Sequence, residues 1–319
     1  MNKLTQFLSF VILVSLLLSC NQTKTTNQKL IVFHAGSLSL PMKELATAFE
    51  KENPGVRVLL ESSGSIACAR KITDLKQPCD VMASADYKVI DQLLVPTFAD
   101  WNMAFALNEM AIVFAPKAKF SDKMNDRNWY QLLERPDVRF GRSDPNADPC
   151  GYRAVQCMQL SESYYKTPGL EKKLLSKDNA YIRPKEVDLL ALLESNTIDY
   201  TFLYRSVAEQ HHLRFLVLPD SVNLKSKELA DWYAISSVSI NGKKPGEKVS
   251  QKGEPMIYSI TVLRNAPNKA LAEKFIAFLV DPLRGKQIME KNGQPCLNPA
   301  VVKGFEKLPE SLQKLSVKW

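Results

Sequence analysis

Long apolar runs are scarce in this sequence, and the one it has lies at the N-terminus. Residues 7–18 are apolar and follow Lys3, a pattern typical of a secretion signal. The run is too short for a permanent membrane span, and no later stretch stays apolar for the roughly 18 residues that a spanning helix needs. The sequence therefore predicts a signal peptide over residues 1–19 and an exported chain.

The end of that apolar run carries a cysteine. Leu17, Leu18, Ser19 and Cys20 resemble a bacterial lipobox, which implies cleavage before Cys20 and a lipid on its thiol. An ordinary secretion signal with a chance cysteine is the alternative. Residues 20–28 are mainly polar and predict a lipidated, flexible tether. We expect an extracytoplasmic protein, in the periplasm or at the cell surface, held to a membrane through Cys20.

Histidine is also rare, and the cysteines lack the spacing of a metal site. The three histidines are His34, His211 and His212, and no CxxC or Cys/His pattern indicates zinc. Five cysteines remain besides Cys20, so at least one thiol is expected to stay free. A pairing of Cys68 with Cys79 is left open.

Basic runs are missing although the chain is basic overall. The formal net charge is +8, but lysine and arginine are scattered among the acids without an aromatic-interleaved stripe. Nucleic-acid binding is therefore not expected. A basic surface is compatible with steering an anion, although the charge alone is weak support.

What is present is an alternation of strands and helices. Predicted strands at 29–34, 56–60 and 79–84 each precede a turn and a helix, and the first two turns are rich in glycine and serine. Successive β–turn–α units predict an α/β fold with a parallel, doubly wound sheet. Ligands of such sheets bind beyond the carboxyl ends of the strands, where these turns lie.

The pattern then starts again with new elements and predicts a second domain. Strands are expected at 138–140, 198–204 and 213–218, with helices between them. The last strands, at 234–240 and 256–263, have no sheet of their own unless they return to the first domain. We therefore predict a discontinuous domain I (29–110 and 236–319) and a domain II (111–235), with crossings near 107–116 and 232–240.

Several turns carry candidate ligand donors. Gly36, Ser37 and Ser65 stand at helix starts, where hydroxyls and free N–H groups suit an anion. Tyr204, just after a strand, has a phenol to donate. Ser37 and Ser65, each taken alone, are also explained as helix caps or turn formers.

A further helix start lies at residues 148–150. Asp148 occupies the N-cap position, and Pro149 the first helical position. Because Pro149 has no N–H, the amide of Cys150 is the expected donor there.

Six segments together resemble a known family. They are 34–38, 63–65, 80–87, 144–153, 183–186 and 199–206, and the most specific is Asp-Pro-Cys-Gly-Tyr-Arg at 148–153. In this order they resemble the molybdate/tungstate-binding proteins of ABC importers, in the branch best known from archaea, over residues 30–299. The resemblance implies a two-domain type II periplasmic-binding-protein fold, with a doubly wound mixed sheet in each domain and the ligand in the interdomain cleft.

The resemblance also implies a function. The chain would be a non-enzymatic, monomeric carrier without a cofactor, which passes tungstate or molybdate to a membrane permease and its ATPase. The substrate-binding residues would be Gly36, Ser37, Ser65, Asp148, Pro149, Cys150, Glu186 and Tyr204.

Two of these residues are acids, and carboxylates would repel the oxygens of an oxyanion. The resemblance implies that Asp148 and Glu186 bind the metal atom instead and complete an octahedron of oxygens, which suits a hard metal. Sulfate and phosphate have no central atom that readily takes two more oxygens. Asp86, Asp144 and Asp188 are assigned to capping or surface positions.

Three alternatives are weighed at this point. One is a binding protein for another oxyanion, such as sulfate or phosphate. The second is a secreted hydrolase that uses Ser37 or Ser65, although neither serine stands in a Gly-x-Ser-x-Gly elbow. The third is a lipid-anchored adhesion or scaffold protein, a role that does not need donors at the turns of β–turn–α units.

Overall fold

The computed structural model describes residues 28–177, 179–242, 244 and 246–319. The predicted signal peptide, Cys20 and all of the predicted tether except Gln28 lie outside the described residues. Within the described ranges, no helix is long and apolar enough to cross a membrane.

Strands and helices alternate along most of the chain. The strands are β1 (Gln28–Ala35), β2 (Val56–Ser63), β3 (Val81–Ser84), β4 (Asn102–Leu107), β5 (Met110–Phe114), β6 (Phe140–Ser143), β7 (Ile182–Arg183), β8 (Tyr200–Tyr204), β9 (Phe215–Val217), β10 (Ser237–Asn241), β11 (Lys248–Lys252), β12 (Ile257–Val262), β13 (Cys296–Lys303) and β14 (Ser316–Lys318). The α-helices are α1 (Ser39–Glu52), α2 (Ser65–Thr73), α3 (Tyr87–Val89), α4 (Trp129–Glu134), α5 (Pro149–Tyr164), α6 (Leu170–Ser176), α7 (Asp188–Glu194), α8 (Arg205–Gln210), α9 (Asp220–Asn223), α10 (Ala230–Tyr233), α11 (Lys269–Val280), α12 (Gly285–Lys291) and α13 (Glu310–Gln313). A π-helical turn, Ile90–Leu94, continues α3.

The first sheet has seven strands in the order β14-β13-β4-β12-β3-β1-β2. β1 runs parallel to β2 and β3, as the β–turn–α pattern predicted, and β12 lies antiparallel between β3 and β4. The last strands of the chain thus complete the sheet that the first strands began. The turns after β1, β2 and β3 meet at one edge of this sheet.

The second sheet has five strands in the order β7-β6-β8-β5-β9. β4 and β5, which flank Asn108 and Glu109, belong to different sheets and do not pair with each other. The chain crosses from the first sheet to the second at these two residues. This crossing falls at the start of the predicted segment 107–116.

The predicted return of strand 234–240 to the first sheet is wrong. β10 instead pairs antiparallel with β11, a strand that the sequence analysis missed, and the two form a separate hairpin. Val238 and Ile240 are buried while their neighbours along β10 are exposed, so only one face of this hairpin is apolar. A strand in the middle of the first sheet is buried on both faces, and β12 is the one that returns.

Helices cover the sheets through apolar faces at helical spacing. α1 buries Met42, Leu45 and Phe49, and the Phe49 ring meets Phe275 of α11 edge-on at 5.2 Å between centroids.

The cysteines of the described ranges are buried or half-buried, and all five are free thiols. The suggested pairing of Cys68 with Cys79 is thus not formed. Burial raises the pKa of Cys68 to about 12, so this thiol stays protonated.

Candidate functional site

Loops from both sheets meet at one buried point. An alanine-like Cβ at Gly64, in the turn after β2, would lie 2.3 Å from the Ala147 carbonyl oxygen, which precedes α5. The Ala67 N–H donates to that same oxygen at 3.3 Å. A glycine is required at position 64 because the two backbones are too close for any side chain. The turn of the first sheet therefore lies directly against the start of α5.

Asp148 is the N-cap of α5, as the sequence predicted. Its Oδ1 accepts from the Cys150 N–H at 3.1 Å, and its Oδ2 accepts from the Glu186 N–H at 2.8 Å. The Cys150 amide is therefore engaged by the cap and is not the open donor that the sequence suggested. Burial raises the pKa of the Asp148 carboxyl, although both N–H donors oppose this shift.

Glu186 has the least ordinary environment in the site. Its side chain is fully buried, and neither carboxylate oxygen has a hydrogen-bond partner among the described residues. Burial, and then the nearby charge of Asp148, raise the pKa of Glu186 well above its usual range. A buried carboxylate without a partner is costly, so this side chain is suited to bind a cationic centre or a hydrogen-bond donor.

Gly36 makes room for that carboxylate. A Cβ at Gly36 would lie 2.8 Å from Glu186 Oε2 and 2.9 Å from Oε1. Gly36 opens the turn that follows β1, whereas Glu186 follows β7. The two predicted site residues thus touch across the junction between the two sheets.

Two hydroxyls at the site, those of Ser65 and Tyr204, already accept hydrogen bonds from the protein. Ser65 Oγ accepts from the Ala85 N–H at 3.0 Å, and the Tyr204 hydroxyl accepts from Arg153 Nη1 at 3.1 Å. Amide N–H and guanidinium groups have no lone pair to offer in return. The hydroxyl protons of Ser65 and Tyr204 therefore remain available to a ligand.

The hydroxyl of Ser37 belongs to a longer chain of hydrogen bonds. Its Oγ lies 2.9 Å from the Tyr258 hydroxyl, which in turn accepts from Asn108 Nδ2 at 3.1 Å. Because the Asn108 amide nitrogen only donates, the phenol of Tyr258 keeps its own proton and can donate it to Ser37. In that arrangement the hydroxyl proton of Ser37 is free for a ligand. A set of hydroxyls that only donates fits an anion whose oxygens carry no proton.

Tyr258 and Asn108 were not predicted as parts of the site. Tyr258 is 221 residues from Ser37 along the chain, and Asn108 is 150 residues from Tyr258. Neither carries a local motif, and only the pairing of β4 with β12 brings them together. Asn108 also lies at the crossing between the sheets, so the hydrogen-bond chain to Ser37 starts there.

The remaining acids have structural partners. Asp144 accepts from the Asn146 N–H at 2.9 Å within its turn, and Asp188 lies 3.6 Å from Lys185 Nζ at the surface. Asp86 caps α3, as predicted, through the Lys88 N–H at 2.8 Å. The surface alternative for Asp86 is wrong, since only 1% of the residue is exposed and it pairs with buried Arg153.

A resident metal ion has no ligand set here. Within the ranges that the structure describes, no three His, Cys, Asp or Glu side chains are grouped to hold a metal ion. Asp148 and Glu186 supply two carboxylates only. Such a pair suits a metal centre that brings its other oxygen ligands with it.

Comparison with known proteins places the chain in a family. The sequence profile described as bacterial extracellular solute-binding protein matches residues 30–294. The chain belongs to this family. This solute-binding protein is 46% identical to an uncharacterised solute-binding protein of Petrotoga mobilis, with 96% of this chain and 95% of the relative covered. It is also 42% identical to a molybdate/tungstate-binding protein of Pyrococcus abyssi, with 95% of each chain covered.

Solved structures agree on the fold of this solute-binding protein. The periplasmic molybdate-binding protein of Azotobacter vinelandii superposes with a TM-score of 0.62 at 18% identity, over 83% of this chain and 98% of that one. The sulfate-binding protein SubI of Mycobacterium tuberculosis gives 0.59 at 12% identity, over 91% and 94%. The predicted type II periplasmic-binding-protein fold, with two mixed sheets, is confirmed.

Proposed function

We propose that this solute-binding protein captures tungstate or molybdate between its two sheets and delivers the ion to an ABC importer. The observation that carries the proposal is the Glu186 carboxylate, fully buried, unpaired and seated against Gly36. Asp148 lies beside it, and three donating hydroxyls share the site. The relative from Pyrococcus abyssi, which is named for these two ions, supports the same ligand.

The site residues divide into two roles. Ser37, Ser65 and Tyr204 donate to the oxygens of the ion, whereas Asp148 and Glu186 bind its metal atom. A hard, high-valent metal accepts carboxylate oxygens, and its positive charge offsets the cost of burying two acids. Gly36 keeps the space that the Glu186 carboxylate occupies.

In this scheme the Asp148 carboxylate and the Cys150 N–H, at the start of α5, exchange their mutual hydrogen bond for contacts with the ion. Asp148 now accepts from the Cys150 N–H, and when the carboxylate turns to the metal it gives up that hydrogen bond. The released amide then donates to an oxygen of the ion, helped by the helix dipole. Pro149 contributes by starting the helix without a competing N–H.

Titration calorimetry with tungstate, molybdate and sulfate tests the ligand. We expect tight binding of the first two ions and much weaker binding of sulfate, because sulfur does not accept two further oxygens. Equal affinity for sulfate or phosphate would overturn metal ligation and favour a binding protein for oxyanions in general.

The contacts of the two serines do not favour the hydrolase alternative. Among the described contacts, Ser37 bonds to Tyr258 and Ser65 to a backbone amide, so neither pairs with a catalytic base.

We further propose the setting in which this capture takes place. The mature chain is a monomer anchored outside the cytoplasm through a lipid on Cys20, and it works without a cofactor. Residues 29–110 and 236–319 form one body and 111–235 the other, with hairpin β10–β11 at the boundary and a hinge at Asn108–Glu109. Mass spectrometry of the purified N-terminus tests the anchor, since an unmodified Cys20 would contradict it.

A further inference from the structure

We propose that Arg153, Tyr152 and Asp86 form a latch that closes the cleft and fixes the ligand donor Tyr204. The latch joins the start of α5, in the half built on the second sheet, to the loop after β3 in the half built on the first. The inference rests on the proposed function, because Tyr204 is taken as a donor to the bound ion.

Arg153 makes the central contacts. Its Nη1 donates to the Ala85 carbonyl oxygen at 2.7 Å and to the Tyr204 hydroxyl at 3.1 Å. Its Nη2 lies 3.3 Å from Asp86 Oδ2, and both side chains are only 2% exposed. One guanidinium thus holds a ligand donor of the second sheet while it grips the backbone and an acid of the first.

Tyr152 adds a second contact to the same acid. Its hydroxyl donates to Asp86 Oδ2 at 2.5 Å, and its ring packs in an apolar cluster with Ile66 of α2 and Val238 of the hairpin. Asp86 is itself fixed as the cap of α3. A buried acid that receives a hydrogen bond from Tyr152 and an ion pair from Arg153 of the other half stabilises the closed arrangement.

The backbone of Ala85 connects the latch to Ser65, the ligand donor of the first half. Its N–H donates to Ser65 Oγ, and its carbonyl accepts from Arg153, which holds Tyr204. One donor from each sheet is therefore oriented through the backbone of a single residue. Closure of the latch therefore fixes Tyr204 relative to Ser65, which the same residue already holds within the first half.

The latch predicts a split between release and stability. Tyr152→Phe keeps the ring and removes the hydroxyl, so we expect tungstate to dissociate about tenfold faster in stopped-flow measurements. The melting temperature of the ligand-free protein should stay unchanged, because the latch is proposed to hold only when the cleft has closed on the ion. Tyr164→Phe, at an exposed tyrosine of the same helix, is the matched control and should alter neither value.

A double-mutant cycle tests the link to Tyr204. Arg153→Lys keeps the charge but cannot reach all three partners, and we expect its loss of tungstate affinity to be non-additive with that of Tyr204→Phe. Additive losses would overturn the positioning role. If Arg153→Lys does not fold, Tyr152→Phe still decides: an unchanged release rate, or a lowered ligand-free melting temperature, overturns the latch.

The two proposals fail in different ways. A wild-type protein that does not bind tungstate overturns the proposed function, and the latch falls with it. A wild-type protein that binds tungstate while Tyr152→Phe releases it at the wild-type rate overturns the latch alone.

Discussion

The two sheets supply the site with different chemistry. The turns of the seven-stranded sheet contribute a glycine and two hydroxyls, Gly36, Ser37 and Ser65, whereas the five-stranded sheet contributes the phenol of Tyr204 and both carboxylates, Asp148 and Glu186. A site for oxygens alone would need only the hydroxyls. The two carboxylates, which come from one sheet only, are costly to bury unless something positive lies between them. This contrast is the basis on which we propose a ligand with oxygens outside and a metal inside.

Glu186→Gln is expected to have the largest effect, because it removes one of the two carboxylates from the contrast. We expect tungstate affinity to fall by at least about 100-fold, because a neutral amide replaces an anionic ligand. This loss exceeds what is usual when a residue that only hydrogen-bonds to a metal ligand is removed. Residual sulfate binding should fall far less, and calorimetry with both ions measures the difference. Equal losses for the two ions would count against metal ligation.

Gly36→Ala tests how closely the two halves fit. The added Cβ meets the Glu186 carboxyl at 2.8 to 3.0 Å, so the acid must move away from its position. We expect tungstate affinity to fall roughly 10- to 100-fold, a range typical for displaced support of a metal ligand. The melting temperature of the ligand-free protein should change little, since only the end of one side chain shifts. A large loss of stability with normal affinity would show that the close contact has no part in binding.

Ser65→Ala probes the donor half alone. Loss of one hydrogen bond to a charged oxygen should weaken binding by about tenfold. The loss should be similar for tungstate, molybdate and sulfate, because all three present the same kind of oxygen. Calorimetry with the three ions checks this, and a loss confined to tungstate would remove the division of roles between the two sheets.

Acidification gives the smallest expected effect. Burial and Asp148 raise the pKa of Glu186, so this acid takes up a proton well above the ordinary value of about 4.3. A proton on Glu186 competes with the metal, and tungstate affinity should therefore fall as the pH is lowered. Calorimetry at several pH values measures the slope, which Glu186→Gln should flatten. Binding that strengthens on acidification would instead indicate that a neutral Glu186 donates a hydrogen bond to the ion.

Local patterns along the chain predicted much of this arrangement. The alternation of apolar runs with small-residue turns predicted β1 to β3 and their helices, and the Asp-Pro pair predicted the cap of α5. These features depend on neighbours in sequence, which a single chain displays. The resemblance supplied Glu186, whose position before α7 alone suggests no more than an acid at a helix start.

Features that depend on distant partners were missed. β11 has a lysine at each end and Val249 as its one apolar residue, so its strand character appears only when it pairs with β10. The roles of Tyr258 and Asn108 depend on the pairing of distant strands, and the burial of Asp86 depends on Arg153 in the other half of the molecule. The engaged Cys150 amide likewise follows from the Asp148 side-chain position rather than from residue type.

X-ray absorption at the tungsten edge of the protein–tungstate complex tests the central claim most directly. The measurement counts the oxygen atoms bound to the metal in solution. We predict six oxygens in the wild-type complex, four from the ion and two from Asp148 and Glu186, and fewer in Glu186→Gln. Four oxygens in the wild-type complex, unchanged from free tungstate, would contradict the account.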